Sequence, residues 1–324
     1  MLAVILAAGK GKRLNPLNQH RSKAMQPILG MPILGRVLED LYAHGIDDFI
    51  VVLNPTDNRA YYYLDNEINL PINIKIVDQD EPLGTGHALL QASPFIQSNF
   101  LLTACDNLVL SDELGLFIER WKRSKSCDAL LALMKVPREQ IPHTGIVQLD
   151  GSRILNIYEK PTLEQAPSDI ASLPLYIFSP LILDHLTSIT ISSRSEFELQ
   201  DAIQEISDLN ADVQGFHLSC RLSLTSPKDL LQINLEYLNR ERPPYLYINS
   251  TAIGTNTHFI PPVHIEAGVI IGTNCIIGPC VYMEKGSVAG DDIRIQHSTV
   301  LEGGEVASST KLSEGLVTTG GLLP

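Results

Sequence analysis

Between positions 10 and 23 stand Lys10, Lys12, Arg13, Arg21 and Lys23 with no acidic residue among them, in a chain whose formal net charge is −13. Gly9 and Gly11 open the same stretch. Glycines let a main chain approach a phosphate closely, the amides then point at its oxygens, and the cations neutralise them. That chemistry is phosphate binding, although the same charges equally suit a solvated loop. The stretch lacks both the Gly-Lys-Ser/Thr ending of a Walker loop and the third glycine of the dinucleotide fingerprint. Further along, Asp106 follows an apolar run, a position open to metal ligation or to helix capping. Lys160 precedes Pro161 where it would meet an anion or mark an ordinary strand exit.

The elements that must position these residues follow from the hydrophobic periodicity. Strand-like runs at 2–6, 49–53, 72–77 and 100–103 alternate with helical patterns at 33–43, 85–91 and 113–122. Such alternation predicts βαβ units and a parallel sheet. Beyond Asp128 the runs ALLALMKV, GIVQLDGSRILNIYEK and ASLPLYIF are strand-like, with Asp150-Gly151 as a hairpin turn, and read as the mixed half of the same α/β domain. A helix over 228–240 ends before Pro243-Pro244, a pair that favours an extended linker. The sequence then reads in sixes: IGTNTH, FIPPVH, IEAGVI, IGTNCI, IGPCVY, MEKGSV, AGDDIR, IQHSTV, LEGGEV. An aliphatic residue leads nearly every block, the hexapeptide pattern of a parallel β-helix. The expected domains are therefore 1–243 and 244–324. From position 248 onward there is room for about four coils of three hexapeptides, and SEGLVTTGGLLP drifts from the pattern as a cap would.

The bulk properties agree. With 324 residues, 44% hydrophobic and 19% charged, the chain has the balance of a globular protein of about two domains. The acidic charge argues against a broad nucleic-acid footprint, and no apolar stretch approaches the roughly 20 residues that span a bilayer. The first strand-like run starts at Leu2, ahead of which no export signal can be fitted, so a cytoplasmic location is expected. Cys105, Cys127, Cys220, Cys275 and Cys280 form no CxxC pair and are expected as reduced thiols. His87 is expected as a packed or hydrogen-bonded histidine, and His258, His264 and His297 at exposed coil positions of the repeats.

The segment LAAGKGKRLNPLNQHRSKAMQPILGMPIL at 6–34 resembles the signature LAAGxGTRxxPxTxxxPKxxxP of the sugar-phosphate nucleotidylyltransferases. QDEPLGTGHAL resembles that family's nucleobase-binding segment, LTACDNLV its metal-binding LxGDN element, GIVQLDGSRILNIYEKP its sugar-phosphate EKP motif, and EFELQDAI its EYxLTDAI. The ordered set covers essentially the whole chain, the β-helix matching a C-terminal extension of many members. The resemblance implies a Rossmann-like mixed-sheet α/β nucleotidyltransferase domain followed by a left-handed parallel β-helix. It also implies a reaction joining a nucleoside triphosphate, UTP or dTTP, to a hexose 1-phosphate of glucose or N-acetylglucosamine type, with release of pyrophosphate.

Carried over position by position, the resemblance places Leu6, Ala8, Gly9, Lys10, Gly11, Gln79, Gly84 and Thr85 at the nucleotide. Arg13 would neutralise the departing pyrophosphate and Lys23 hold the α-phosphate as the catalytic pair. Gly145, Glu159, Lys160 and Ser172 would line the sugar-phosphate pocket, and Asp106 would bind Mg²⁺. Four departures stand out: Lys12 for the Thr of GTR, Ser22 for the Pro of PK, the Ser172–Pro174 stretch for the usual NAG, and Ser223 where the family has a second metal-binding Asp. Lys12 and Ser22 keep a plausible loop, whereas the Ser223 and Ser172 departures raise an alternative, a non-catalytic regulatory or assembly subunit that binds nucleotide or sugar nucleotide. The β-helix is expected to support a homo-oligomer rather than acetyl transfer.

Overall fold

A computed structural model describes residues 1–124, 126–192 and 194–323. Two compact units emerge, each discontinuous in sequence: Met1–Lys10 with Val37–Leu222, and Gly11–Arg36 with Ser223–Pro324.

The first unit is built on a nine-stranded mixed sheet. Its order is Asn73–Asp78, Asp48–Leu53, Leu2–Leu6, Phe100–Ala104, Ile170–Phe178, Ala129–Lys135, Val213–His217, Arg153–Glu159 and Gly145–Asp150. The first four strands run parallel, and Ile170–Phe178 runs antiparallel to its neighbours on both sides. Leu2–Leu6 is flanked by strands on both edges and Ala3, Val4 and Ile5 are fully buried, which is why it reads as a continuous apolar run rather than an alternating one. The hairpin expected at Asp150-Gly151 forms, with Asp150 opposite Arg153 and Gly151 in the left-handed region at φ +60°. The helices Thr85–Ala92, Ser111–Arg123 and Leu199–Asp208 fall where the periodicity puts them or between its strands.

In the second unit the hexapeptides fold as a three-sided parallel β-helix. Along one face Ile253, Ile271, Ala289 and Val306 lie in register, one per coil. Val263, Val281 and Ser298 do so along another. Left-handed backbone at Asn256, Asn274 and Asp292 recurs coil by coil, where Asn and Asp tolerate the conformation best after glycine. After four coils the strand Leu316–Thr318 turns back on itself and pairs antiparallel with Gly321–Leu323, closing the stack.

The helix Pro227–Arg240 begins with a capping box in which the Ser226 side chain and Asp229 exchange hydrogen bonds with each other's backbone. Its Asn234, fully buried, reaches Gly11–Arg36: Asn234 Nδ2 donates to Pro27 O at 3.1 Å and Oδ1 accepts from Leu29 N at 3.0 Å. Those bonds grip a two-residue hairpin between the strands Pro27–Ile28 and Met31–Pro32, whose turn residues Leu29 and Gly30 both have positive φ. No helix among the described residues is long and apolar enough to cross a membrane. All five cysteines are free thiols.

His264 differs from expectation. It lies in the strand Val263–Ile265, is only 7% exposed, stacks on Tyr247 at 4.4 Å between ring centroids, and shares a 2.8 Å hydrogen bond with Tyr245 Oη. The hexapeptide count marks which positions lead a block but cannot tell which remaining side chains a neighbouring element covers. Burial, reinforced by the Arg36 charge, pulls the His264 pKa down to about 4. The folded chain therefore binds this proton less readily than the unfolded chain, so stability is lost as pH falls from about 6.5 towards 4. Replacing His264 with Gln should flatten that part of the urea-unfolding profile by up to roughly 3 kcal/mol; parallel slopes for the two proteins would show that His264 does not carry the effect.

Candidate functional site

In the first unit the candidate nucleotide residues converge at the carboxyl ends of neighbouring parallel strands. Ala7 N bonds to Val52 O at 2.8 Å, Gln79 N to Leu53 O at 2.8 Å and Cys105 N to Leu6 O at 3.0 Å, so the three chain exits leave the sheet side by side. Leu2–Leu6 has the next strand of its own sheet in chain order, Asp48–Leu53, on one edge and Phe100–Ala104 on the other. The chain order reverses there, and such a switch point opens the crevice in which α/β sheets bind ligands. Leu6, Ala8, Gly9, Lys10, Gln79 and Asp106 all occupy this sheet end.

Gln79 is 4% exposed and its Nε2 donates to Gly84 O at 3.3 Å and meets His87 Nδ1 at 3.0 Å. His87 also contacts Gln91 at 3.2 Å and stacks on Phe197, so it serves to orient Gln79, a role that its isolated position in the sequence did not reveal. Gly84 has φ +104°, and a Cβ there would stand 2.7 Å from Phe197 O; only glycine permits this approach ahead of Thr85, the first residue of its helix. Two backbone bonds, Phe197 N to Leu83 O at 2.7 Å and Gly86 N to Phe197 O at 2.9 Å, tie this segment to residues 196–200.

The sugar-phosphate candidates form a second cluster through strand register. Gly145 pairs with Glu159 on one side and with Ser172 on the other, and a Cβ on Gly145 would lie 3.1 Å from Glu159 Oε2. Lys160 adopts a left-handed backbone at φ +48°, strain that persists only where the surroundings impose it, and its Nζ meets Glu159 Oε1 at 3.1 Å. Glu159 Oε2 is buried with no hydrogen-bond partner among the described residues. Burial raises the Glu159 pKa and Glu198 adds to it, while Lys160 opposes the shift. Glu198, 4% exposed, is itself paired with Arg194 at 2.8 Å. The two clusters meet through Pro174, whose carbonyl accepts from Thr103 Oγ1 at 3.1 Å and Asn107 Nδ2 at 3.5 Å.

Asp106 has an unexpected neighbour. Arg221 donates to Asn107 Oδ1 at 3.3 Å; burial lowers its pKa, and the nearby Asp106 carboxylate works in the opposite sense. Sequence reasoning misses Arg221 because its partners at Asp106 and Asn107 lie more than a hundred residues earlier in the chain. No group of three or more His, Cys, Asp or Glu side chains that could hold a metal occurs among the described residues. Mg²⁺ held largely by substrate phosphates and water does not require such a protein cage.

Gly11, Arg13 and Lys23 belong to the second unit. Gly11, at φ +56°, begins a tight turn in which Leu14 N bonds to Gly11 O at 2.8 Å, and Asn18 Nδ2 reaches the same carbonyl at 3.2 Å. A Cβ on Gly11 would stand 3.3 Å from Lys23 Cβ, so the start of the basic segment and Lys23 are packed together.

The family described as nucleotidyl transferase matches residues 2–238. The bifunctional protein GlmU of Methanococcus maripaludis (strain C7) is 31% identical over 242 residues, 74% of this chain and 55% of that protein. A glucose-1-phosphate thymidylyltransferase of Streptomyces griseus is 30% identical over 249 residues, 75% of this chain and 68% of the relative. The UTP–glucose-1-phosphate uridylyltransferase AglF of Haloferax volcanii is 30% identical over 231 residues, 71% and 93% of the two chains. The chain thus spans about half the length of the GlmU relative and most of the AglF one. A crystal structure of UDP-glucose pyrophosphorylase complexed with UDP-glucose shares the fold at a TM-score of 0.64 and 20% identity, covering 74% of this chain and 99% of that one. With the switch-point crevice, the ordered motifs and a family match over residues 2–238, the chain belongs to the nucleotidyl transferase family.

Proposed function

We propose that this protein is a sugar-1-phosphate nucleotidyltransferase that joins UTP or dTTP to a sugar 1-phosphate of glucose or N-acetylglucosamine type and releases pyrophosphate. The observation that carries the reading is the convergence of residues 6–10, Gln79 and Asp106 at the switch point of the sheet, in the same unit as the opposed charges of Glu159 and Lys160. The choice of nucleotides rests on the thymidylyl- and uridylyltransferase names of the relatives.

In this reading a phosphate oxygen of the sugar 1-phosphate attacks the α-phosphorus of the nucleotide in line, the bond from that phosphorus to the bridging oxygen breaks, and pyrophosphate leaves with the electron pair. No protein nucleophile is needed, so the residues contribute position and charge. Backbone amides at Gly9, Lys10 and Gly11 cradle the phosphates, Arg13 neutralises the departing pyrophosphate and Lys23 holds the α-phosphate. Gln79, fixed by His87, and the close backbone at Gly84 and Thr85 read the base. Lys160 counters the sugar phosphate, Ser172 lines the pocket beside Gly145, and the open acceptor at Glu159 Oε2 suits a sugar hydroxyl. Bound through Asp106, Mg²⁺ would supply charge neutralisation at the phosphates. A homo-oligomer in the cytoplasm belongs to the same proposal, its support being the flat faces of the β-helix; sedimentation of the full chain as a monomer would remove the oligomer.

A pyrophosphate-release assay over UTP and dTTP against glucose 1-phosphate and N-acetylglucosamine 1-phosphate should find turnover with at least one pair. Nucleotide binding without turnover for any pair would favour a regulatory subunit. Arg13→Ala should lower the rate by about 10²–10³, the usual cost of losing one preorganised electrostatic donor; wild-type rates would mean that the basic patch is merely solvated. Asp106→Asn should abolish metal-dependent turnover, and Ser223→Asp should lower the Mg²⁺ concentration giving half the maximal rate. Full activity in Asp106→Asn would place the metal elsewhere, and an unchanged Mg²⁺ requirement in Ser223→Asp would strip that departure of meaning.

A further inference from the structure

The sequence made Arg21 one of five basic residues in a phosphate-binding stretch, but the structure directs its charge elsewhere. Arg21 Nη1 donates to Glu284 Oε1 at 2.6 Å and Nη2 to Glu302 Oε2 at 2.9 Å, with both carboxylates on the β-helix. The side chains of Arg21 and Glu284 are 9% and 5% exposed, so this is no screened surface pair. Glu284 is fixed in turn by a bond from Glu302 N to its Oε2 at 2.8 Å. On the loop side, Gln26 is fully buried, and its Nε2 lies 3.3 Å from each of the carbonyls of Leu17, Arg21 and Ser22. The backbone that carries Arg21 is thereby coupled to the turn that begins at Lys23. A second anchor follows at Gly30, whose amide donates to Tyr282 Oη at 3.2 Å while that hydroxyl donates to Glu266 Oε1 at 2.5 Å.

A buried ion pair contributes little net stability compared with apolar side chains of the same volume, and in some proteins its role is instead to select one geometry. We propose that the β-helix is the positioning element of the catalytic basic segment, and that Arg21, clamped by Glu284 and Glu302, is the positioning residue that holds Arg13 and Lys23 in place. This rests on the catalytic roles proposed above for Arg13 and Lys23. Its further content is that the C-terminal repeats contribute directly to phosphoryl transfer without supplying a residue that touches the substrate.

The test compares the full-length protein with the variant Arg21→Met/Glu284→Met/Glu302→Gln, which removes the charges together and leaves none buried alone. Hydrogen exchange at residues 12–26 should quicken about tenfold while exchange in the β-helix strands stays as in wild type. The turnover number for pyrophosphate release should fall at least tenfold, with the KM for sugar 1-phosphate changed less than twofold. The charge-swapped pair Arg21→Glu/Glu284→Arg should recover part of the lost rate. Wild-type turnover in the folded triple variant would overturn the proposal, and so would faster exchange spread through the β-helix, which would mean general loosening. Should the wild-type protein itself release no pyrophosphate, the catalytic reading fails, while unchanged exchange at residues 12–26 in the triple variant would sink the clamp separately.

Discussion

A stretch with almost no repeating hydrogen bonds of its own keeps a single conformation only if other parts of the chain supply the missing partners, and Asn234 supplies them for Gly11–Arg36. Its amide satisfies Pro27 O and Leu29 N at once, and its own helix at Leu230 O as well, all without exposure to water. An apolar residue there would leave a buried donor and a buried acceptor unpaired, each at a cost of about 1–3 kcal/mol. The positive φ of Leu29 depends on this grip, since a leucine gains nothing from left-handed backbone. Arg36 completes the arrangement from the other side, donating to Ile28 O at 2.9 Å with its guanidinium over the Tyr237 ring.

In the first unit the organising constraint is topological. Parallel strands that share one sheet must bring their exits to a common end, and the order around Leu2–Leu6 makes the exits at Ala7, Gln79 and Cys105 adjacent. The antiparallel strand Ile170–Phe178 then delivers Ser172 and Pro174 from the opposite direction to the same end. Residues about a hundred positions apart in sequence come together because the sheet leaves them no other place.

Much of this was legible in advance, and the reasons differ by element. The strands 2–6 and 100–104 showed because burial on both faces demands unbroken apolar runs. The β-helix showed because a stacked coil must repeat its inward residues. The nucleotide and sugar residues showed through an ordered set of motifs, and register brings Gly145, Glu159 and Ser172 side by side as neighbours. What did not show was long-range pairing of charge. Arg21 read as one more cation in a basic loop because Glu284 and Glu302 lie 263 and 281 residues away. Arg221 went unnoticed because nothing in CRLSLTSPKDL points to Asn107 or Asp106. The burial of His264 did not show because Tyr245 and Tyr247 precede the first hexapeptide legible in the sequence, although Tyr247 pairs directly with His264 in the folded stack. A contiguous division at 243–244 follows composition, whereas packing groups Gly11–Arg36 with the repeats.

That grouping has a consequence for how the protein is made. The glutamates that receive Arg21 are synthesised 263 and 281 residues after it. At about 5–20 residues per second, the segment waits roughly 15–60 s for its partners. Throughout that interval a glycine-rich, cationic stretch remains on a nascent chain whose neighbouring strands can already pair. Until Glu302 has been added, Arg21 has only part of its clamp, so the segment reaches its final geometry only after the coils that carry both glutamates.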